Sequence, residues 1–333
     1  MAELLQLAVE VEATELERLE MQLGEWTRAT TVVRLLGGGH EGVGEDVTYQ
    51  PELHDDPPRP EVGGSWTLAS FSARLDGFDF FGAQKPLDAA ARDYRRWAWE
   101  SAALDLALRQ SGLTLADAIH RRPRPVTYVV STRAENVAPL LERHPDLHFK
   151  LDPSRDWSDE LFDELEATGR VDTADYKGVF RGDFGNPPDA ELYARAAEAF
   201  PRAWLEDPGL NEETDRVLEP HRDRITWDAP IHSLADVEAL PFVPKCLNVK
   251  PSRFGTLARL FEFYEACESR GIALYGGGQF ELGPGRAQIQ ELASLFHPDA
   301  PNDVAPGVFN TTAVPDDAPP SPLTSPRAFG AKS

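Results

Sequence analysis

The sequence predicts an α/β fold, a modified (β/α)7β TIM-type barrel preceded by an N-terminal α+β domain. Three observations lead there. Short apolar runs at 203–206 (AWLE), 224–228 (RITWD) and 246–250 (CLNVK) each end in a charge, and Glu206, Asp228 and Lys250 follow one another at equal steps of 22 residues. From 126 to 309, runs short enough for buried parallel strands alternate with stretches of helical periodicity. The chain has 333 residues and is 41% hydrophobic, which suits one large barrel plus an accessory domain.

Residues 4–49 read as strand-rich: LLQLAVEVE and ATTVVRLLGG are apolar runs, and GGGHEGVGEDVTY turns through glycines into VTY. Residues 50–64 are a loop by composition. From Leu87 to about Ile119 the pattern is helical. Trp97, Ala98, Ser101, Ala102, Leu104, Asp105 and Leu108 form a stripe whose small residues predict close packing, and Gly112 closes it. Trp97 and Trp99 belong to the core. A boundary near Pro123 divides residues 1–122 from a barrel over 123–310.

Strands are expected at 126–130, 147–151, 171–176, 203–206, 224–228, 246–250 and 272–276, with helices between them, and an eighth at 303–309. Ser233 and Asp236 form a helix-start pair. Leu257, Leu260, Phe261 and Tyr264 mark the helix after the sixth strand. Seven intervening helices give (β/α)7β. Residues 311–333, rich in Pro, Ala and Ser, are expected to be a weakly structured tail that adds little to the core.

The ends of successive barrel strands carry Lys150, Asp175, Glu206, Asp228 and Lys250. Charges at such ends lie on one face of the barrel, where α/β enzymes build their sites. Three carboxylates converging there repel one another and take up protons unless a cation sits between them. An all-oxygen set suits a hard ion, Mg²⁺ first and Mn²⁺ as a substitute. Strands two and six are opposite in a barrel of eight, so Lys150 and Lys250 face each other across that ion. A lysine beside a cation has a lowered pKa, as a general base needs. These parts suit removal of a proton next to a carboxylate. Asp172, three residues before Asp175, is a second candidate on the third strand.

The layout resembles the enolase superfamily, nearest its muconate-lactonizing-enzyme and o-succinylbenzoate-synthase group. GHEGVGEDVTY resembles the family's capping-domain turn, and YRRWAWESAALDLALRQSGLTLADAI its helix before the barrel. AWLEDP and TWDAPI are similar to metal-ligand strands, LNVKPSRFGTL to the sixth-strand lysine, and GQFELGPGRAQIQELASL to the seventh-strand region. The resemblance implies ligands at Asp175, Glu206 and Asp228 and acid/base lysines at 150 and 250. It implies a lyase or cycloisomerase, with a racemase or epimerase second. It also makes residues 1–122 a capping domain whose loops, 10–30 and 50–64, hold specificity. The chain departs from the pattern twice. The family's Lys-x-Lys is His148-Phe149-Lys150, followed by Asp152, and its Asp-x-Asn is Asp175-Tyr176-Lys177, which aims an extra lysine at the mouth. A register pairing Lys150 with the first lysine is set aside because the 150-to-206 spacing matches the second. These departures keep a rival in play, a catalytically silent barrel that binds a ligand or partner. Lys177, Asn248, Gln279 and Glu281 are candidate substrate contacts.

Composition narrows the partners. A net charge of −23 argues against nucleic acid and anionic membrane, and no apolar run is long enough for a membrane span. Cys246 and Cys267 lack metal spacing and fit a reducing cytoplasm. The acidic start has no signal-peptide pattern. The expected partner is a small carboxylate, and a homo-oligomer is compatible with everything above. The GGG runs at 37–39 and 276–278 do not have phosphate-loop spacing, and the second keeps the barrel mouth open. His232 and His297 read as surface or loop residues.

Overall fold

The computed structural model describes residues 2–179, 185–311 and 314–330. The N-terminal part is built on an antiparallel sheet of β2 (Ala13–Leu23), β3 (Trp26–Gly37) and β4 (His40–Asp46), with β1 (Ala8–Val11) pairing β5 (Gly64–Thr67) beside it. Three helices follow: α1 (Leu68–Leu75), α2 (Ala91–Ser111) and α3 (Leu115–Ala118). Thr67 caps α1 in a reciprocal pair with Ser70, and Gly112 ends α2 in the left-handed conformation. The small stripe of α2 allows the close approach expected of it. A Cβ on Gly44 of β4 would lie 2.0 Å from the Ala98 carbonyl oxygen, so only glycine fits under the helix.

One stretch assigned to loop is strand instead. Residues 13–23 pair along their whole length with β3 and make a long hairpin turning at 24–25. The strand is amphipathic and acidic (ATELERLEMQL) and no residue in it is fully buried. That is why it lacked an apolar signature.

The barrel strands are β6 (Val130–Ser131), β7 (Phe149–Leu151), β8 (Val171–Asp175), β9 (Trp204–Glu206), β10 (Ile225–Thr226), β11 (Cys246–Val249) and β12 (Ala273–Gly276). The first five form one parallel sheet and the last two a pair, joined where Asn248 N–H donates to Trp227 O at 3.0 Å. Helices α4 (Val137–Arg143), α5 (Asp159–Thr168), α6 (Ala190–Ala199), α7 (Glu212–Leu218), α8 (Leu234–Glu238), α9 (Leu257–Arg270) and α10 (Pro284–Phe296) lie between and after them. Ser233 and Asp236 do meet at the start of α8, 2.7 Å apart.

The eighth strand is shorter than 303–309. Asn302 bridges Tyr128 and Asp303 bridges Gly277, closing the barrel, while Gly307–Asn310 winds into a 3₁₀ turn. Pro306 lacks the N–H that a longer ladder requires. His297 is also not a surface residue. It is buried, with Nδ1 2.6 Å from Asn302 Oδ1, and so orients a residue of the closing bridge.

The expectation for the tail is overturned. Val126 and Leu323 exchange backbone hydrogen bonds of 2.9 and 2.8 Å, and Tyr128 N–H donates to Ser321 Oγ. Glu291 of α10 accepts from the N–H groups of Ala328 and Phe329, and Asp105 of α2 accepts from Gly330. Phe329 is fully buried. Proline-rich composition hid this, because prolines remove donors but leave carbonyls and neighbouring amides free to pair. Phe329→Ala should therefore cost about 3–5 kcal/mol, read as a lowered midpoint in urea. An unchanged midpoint would return the tail to the role its composition suggested.

Arg28 of β3 joins the two parts. It is fully buried, and its guanidinium donates to Val47 O and Thr48 O on its own side and to Gln279 O and Phe280 O beyond β12. Trp26 packs edge-on against Phe280 at 5.5 Å. The hairpin is thus fixed over the C-terminal end of the barrel.

Candidate active site

The C-terminal ends of β7 to β12 place their charges together in the barrel interior. Lys150, Asp175, Glu206, Asp207 and Asp228 are all buried. Strand parity explains the choice on β8: Asp175 lies beside Lys150 and Glu206, whereas Asp172 takes His148 Nδ1 at 2.8 Å. Arg170 reaches the other ring nitrogen of His148 at 3.0 Å, so that histidine is held at the opposite ends of these strands.

Lys150 Nζ contacts Glu206 Oε1, with Asp175 Oδ2 at 3.2 Å and Asp303 Oδ2 at 3.7 Å. Glu206 Oε2 accepts from the Tyr275 hydroxyl and, at 3.5 Å, from Asn248 Nδ2. Lys250 Nζ sits 2.8 Å from Asp228 Oδ2, and Arg253 Nη1 is 2.7 Å from Asp228 Oδ1. Lys177 lies on Asp175 at 2.7 Å and on Asp152 at 3.2 Å. Asp207 receives the N–H groups of Asp228 and Ala229 at 2.8 and 2.9 Å. It does so from a left-handed backbone (φ 50), a conformation shared by Lys177 and Phe280 around the mouth. Such strain collects at functional sites. Gly277 is needed for closeness, since a Cβ there would come within 2.6 Å of Asn248 Oδ1 and 2.7 Å of Lys250 Cε.

Two candidate substrate contacts have other partners. Gln279 Oε1 accepts from Tyr49 at 2.9 Å, and Glu281 accepts from Gln279 N–H and pairs with Arg286. Both brace the loop after β12. Lys177 and Asn248 do reach the carboxylates. The sequence reasoning passed over Asp207, Arg253, Tyr275 and Asp303. The signal for the first was the second acid in LEDP. Arg253 stood in the quoted KPSR run without a role.

The acids outnumber their cations. Asp152, Asp175, Glu206, Asp207, Asp228 and Asp303 face Lys150, Lys177, Lys250 and Arg253, leaving two uncompensated negative charges, those of one divalent ion. Protons stand in for it. Burial, helped by Asp175, Asp228 and Asp207 and opposed by Lys150, pushes Glu206 up to about 8. Burial with Asp228 and Asp175 takes Asp207 up to about 7. Asp228 goes the other way: burial opposes ionisation, but Arg253, Lys250 and Lys150 hold it well below the usual range. Oxygens of Asp175, Glu206 and Asp207 lie within 4.8 Å of one another and could hold a metal ion. A hard divalent cation therefore fits the donor chemistry and the charge. The lowered lysine pKa expected beside a cation belongs to the ion-bound site; without the ion the balance is different. Burial disfavours the Lys150 ammonium, yet Glu206, Asp175, Asp303 and Asp228 outweigh it and raise its pKa well above normal.

Two models of one family cover most of the chain, that of the DUF8230 C-terminal domain over residues 122–311 and that of the N-terminal domain over residues 2–118; both are described as domains of unknown function. The chain belongs to the DUF8230 family. Among curated relatives, this DUF8230 protein is 32% identical over 93 residues to an o-succinylbenzoate synthase of Bacillus subtilis, 27% of this chain and 25% of that one. The chain thus spans about a quarter of that relative's length. It is 25% identical over 328 residues to an N-succinylamino acid racemase of Thermus thermophilus, covering 89% of this chain and 85% of that one. Among solved structures it is similar to a Listeria innocua member of the enolase superfamily (TM-score 0.63, 16% identity, 90% and 86% of the two chains). It is also similar to a dipeptide epimerase from Methylococcus capsulatus complexed with Mg ion (TM-score 0.66, 18% identity, 96% and 99%). The DUF8230 fold is that of the enolase superfamily, a capped TIM-type barrel. Among the described residues, no helix is long and apolar enough to cross a membrane.

Proposed function

We propose that this protein is a Mg²⁺-dependent enzyme, with Mn²⁺ as a substitute, that removes the proton α to a carboxylate and is a lyase or cycloisomerase. The observation that carries this reading is a pair of strand-end lysines on separate carboxylates, Lys150 buried and Lys250 partly so. Lys150 is on Asp175 and Glu206, and Lys250 is on Asp228. Asp175 and Glu206 hold the metal, with Asp207 or Asp228 as third carboxylate. A divalent ion bound there supplies positive charge that stabilises the developing enolate.

Once Asp175 and Glu206 are committed to ligation, Lys150 loses the partners that keep its ammonium charged and can carry a free amine. It then takes the α-proton on Nζ. Lys250, still paired with Asp228, stays cationic and faces the negative charge that develops on the carboxylate. Asn248 and Tyr275 fix Glu206. A leaving group lost from the β-carbon completes elimination.

A racemase or epimerase is the second reading, favoured by the similarity to the N-succinylamino acid racemase over most of the chain. There Lys250 also gives and takes a proton, on the opposite face. The test is deuterium wash-in from D₂O, followed by NMR, for a panel of carboxylates with Mg²⁺. Exchange at the α-position is expected. A protein that binds Mg²⁺ but exchanges no proton in any carboxylate offered would favour a silent, ligand-binding barrel.

A further inference from the structure

The end of β8, Asp175-Tyr176-Lys177, sets a second ammonium against a proposed metal ligand. Lys177 Nζ is 2.7 Å from Asp175 Oδ2, the same oxygen that Lys150 Nζ approaches at 3.2 Å. Its direction is fixed by the backbone. Lys177 has φ 53, a left-handed conformation that costs energy in a residue with a Cβ. Its N–H donates to Asp175 Oδ1 at 3.1 Å, its carbonyl accepts from Asn186 N–H at 3.1 Å, and the next amide, Gly178, donates to Asp207 O at 2.8 Å.

On the other side of the ammonium, 3.2 Å away, is Oδ1 of Asp152, two residues past Lys150. The two acids differ. The Asp175 side chain is 3% exposed and the Asp152 side chain 48%. Lys177 thus stands between a buried carboxylate already shared with Lys150 and one open to water. A divalent cation on Asp175 and an ammonium at 2.7 Å from the same oxygen repel each other strongly in so buried a place. Asp152 gives the ammonium somewhere to go, by a small rotation and without losing its counter-charge.

We propose that Lys177 is a displaceable counter-ion: it neutralises Asp175 in the metal-free protein and moves onto Asp152 when a divalent cation takes Asp175, so that the Lys177–Asp152 pair sets the metal affinity. This rests on the metal-dependent reading above. It gives the two partners opposite effects. Without the ammonium, nothing competes with the ion for Asp175. Without the Asp152 charge, the ammonium settles wholly on Asp175 and competes harder.

Titration calorimetry of the full chain with Mg²⁺ tests this in the wild type, Lys177→Met, Lys177→Gln and Asp152→Asn. The position-177 variants should bind roughly tenfold more tightly and Asp152→Asn roughly tenfold more weakly. A merely structural role would weaken binding in all three. Two different neutral residues at 177, checked by circular dichroism, keep that arm readable if one variant folds poorly, and Asp152→Asn stands independently. Shifts of the same sign, or none, in folded variants of a wild type that binds Mg²⁺ overturn the role of Lys177 alone. Absence of Mg²⁺ binding in the wild type overturns the metal reading and this inference with it.

Discussion

Alanine at position 150 should lower α-proton exchange by about 10⁴-fold, the upper end of what one positioned base contributes. Lys150 is 3% exposed and is held on Glu206 and Asp175, so bulk solvent cannot readily replace the missing amine. Lys250→Ala should cost less, roughly 10²–10³-fold on the scale of a lost oxyanion donor, because Arg253 still neutralises Asp228. The Lys150 variant also has a stability signature. Removing the ammonium leaves Glu206 and Asp175 facing each other in a buried site, so the metal-free variant should melt below the wild type and Mg²⁺ should recover most of the loss. The measurements are deuterium wash-in by NMR and thermal melts with and without Mg²⁺. If the enzyme is a racemase, each single variant loses exchange from one enantiomer only. Full exchange in the double variant would end the assignment of both lysines.

Legibility from sequence followed the period of each signal. Barrel strands are short, apolar and buried on both faces, so runs such as CLNV and the charges that end them were readable; of the three carboxylates expected as ligands, Asp175 and Glu206 share a cluster with Asp207, while Asp228 is taken by Lys250 and Arg253. The Gly112 stop and the small face of α2 were legible because glycine and alanine have strong local meanings. Strand β2 was not: it lies on the surface of a two-sided hairpin, and its partner β3 supplies the order that its own residues do not encode. The tail was missed for a related reason, since its anchors, Glu291 and Asp105, are far away in sequence. Within the site, residue type was legible but pairing was not. Nothing local to KPSR tells that Arg253 doubles the counter-charge on Asp228, and nothing in IALYG tells that Tyr275 reaches Glu206. Those contacts need β9, β10, β11 and β12 side by side.

Glu206→Gln should weaken Mg²⁺ binding by about 100-fold or more, and its effect on stability should depend on pH in a way that identifies the cause. In the wild type, burial raises Glu206 to about 8 from an ordinary 4.5, and Asp207 to about 7 from 3.8. The folded protein therefore holds these protons more tightly than the unfolded chain. Their contribution is fully favourable below the unfolded values and is lost as pH rises towards the folded ones. Metal-free wild type should thus lose stability between about pH 5 and pH 8, on the order of 6 kcal/mol if both groups titrate in full. Ligation needs Glu206 deprotonated, and Asp207 as well where it is the third carboxylate, so Mg²⁺ affinity should climb over the upper part of the same window, by up to about tenfold per pH unit for each proton displaced. Added Mg²⁺ should then restore at pH 8 what the metal-free protein has lost. Glutamine at 206 carries no proton to lose and no charge to bury. The metal-free variant should therefore be more stable than wild type at pH 8, nearly equal to it at pH 5, and at either pH much less stabilised by a given Mg²⁺ concentration than wild type is at pH 8. Urea melts at the two pH values, paired with calorimetric titration of Mg²⁺, measure all of this. Wild-type Mg²⁺ affinity in the Glu206→Gln protein would mean that the ion, if bound, sits elsewhere.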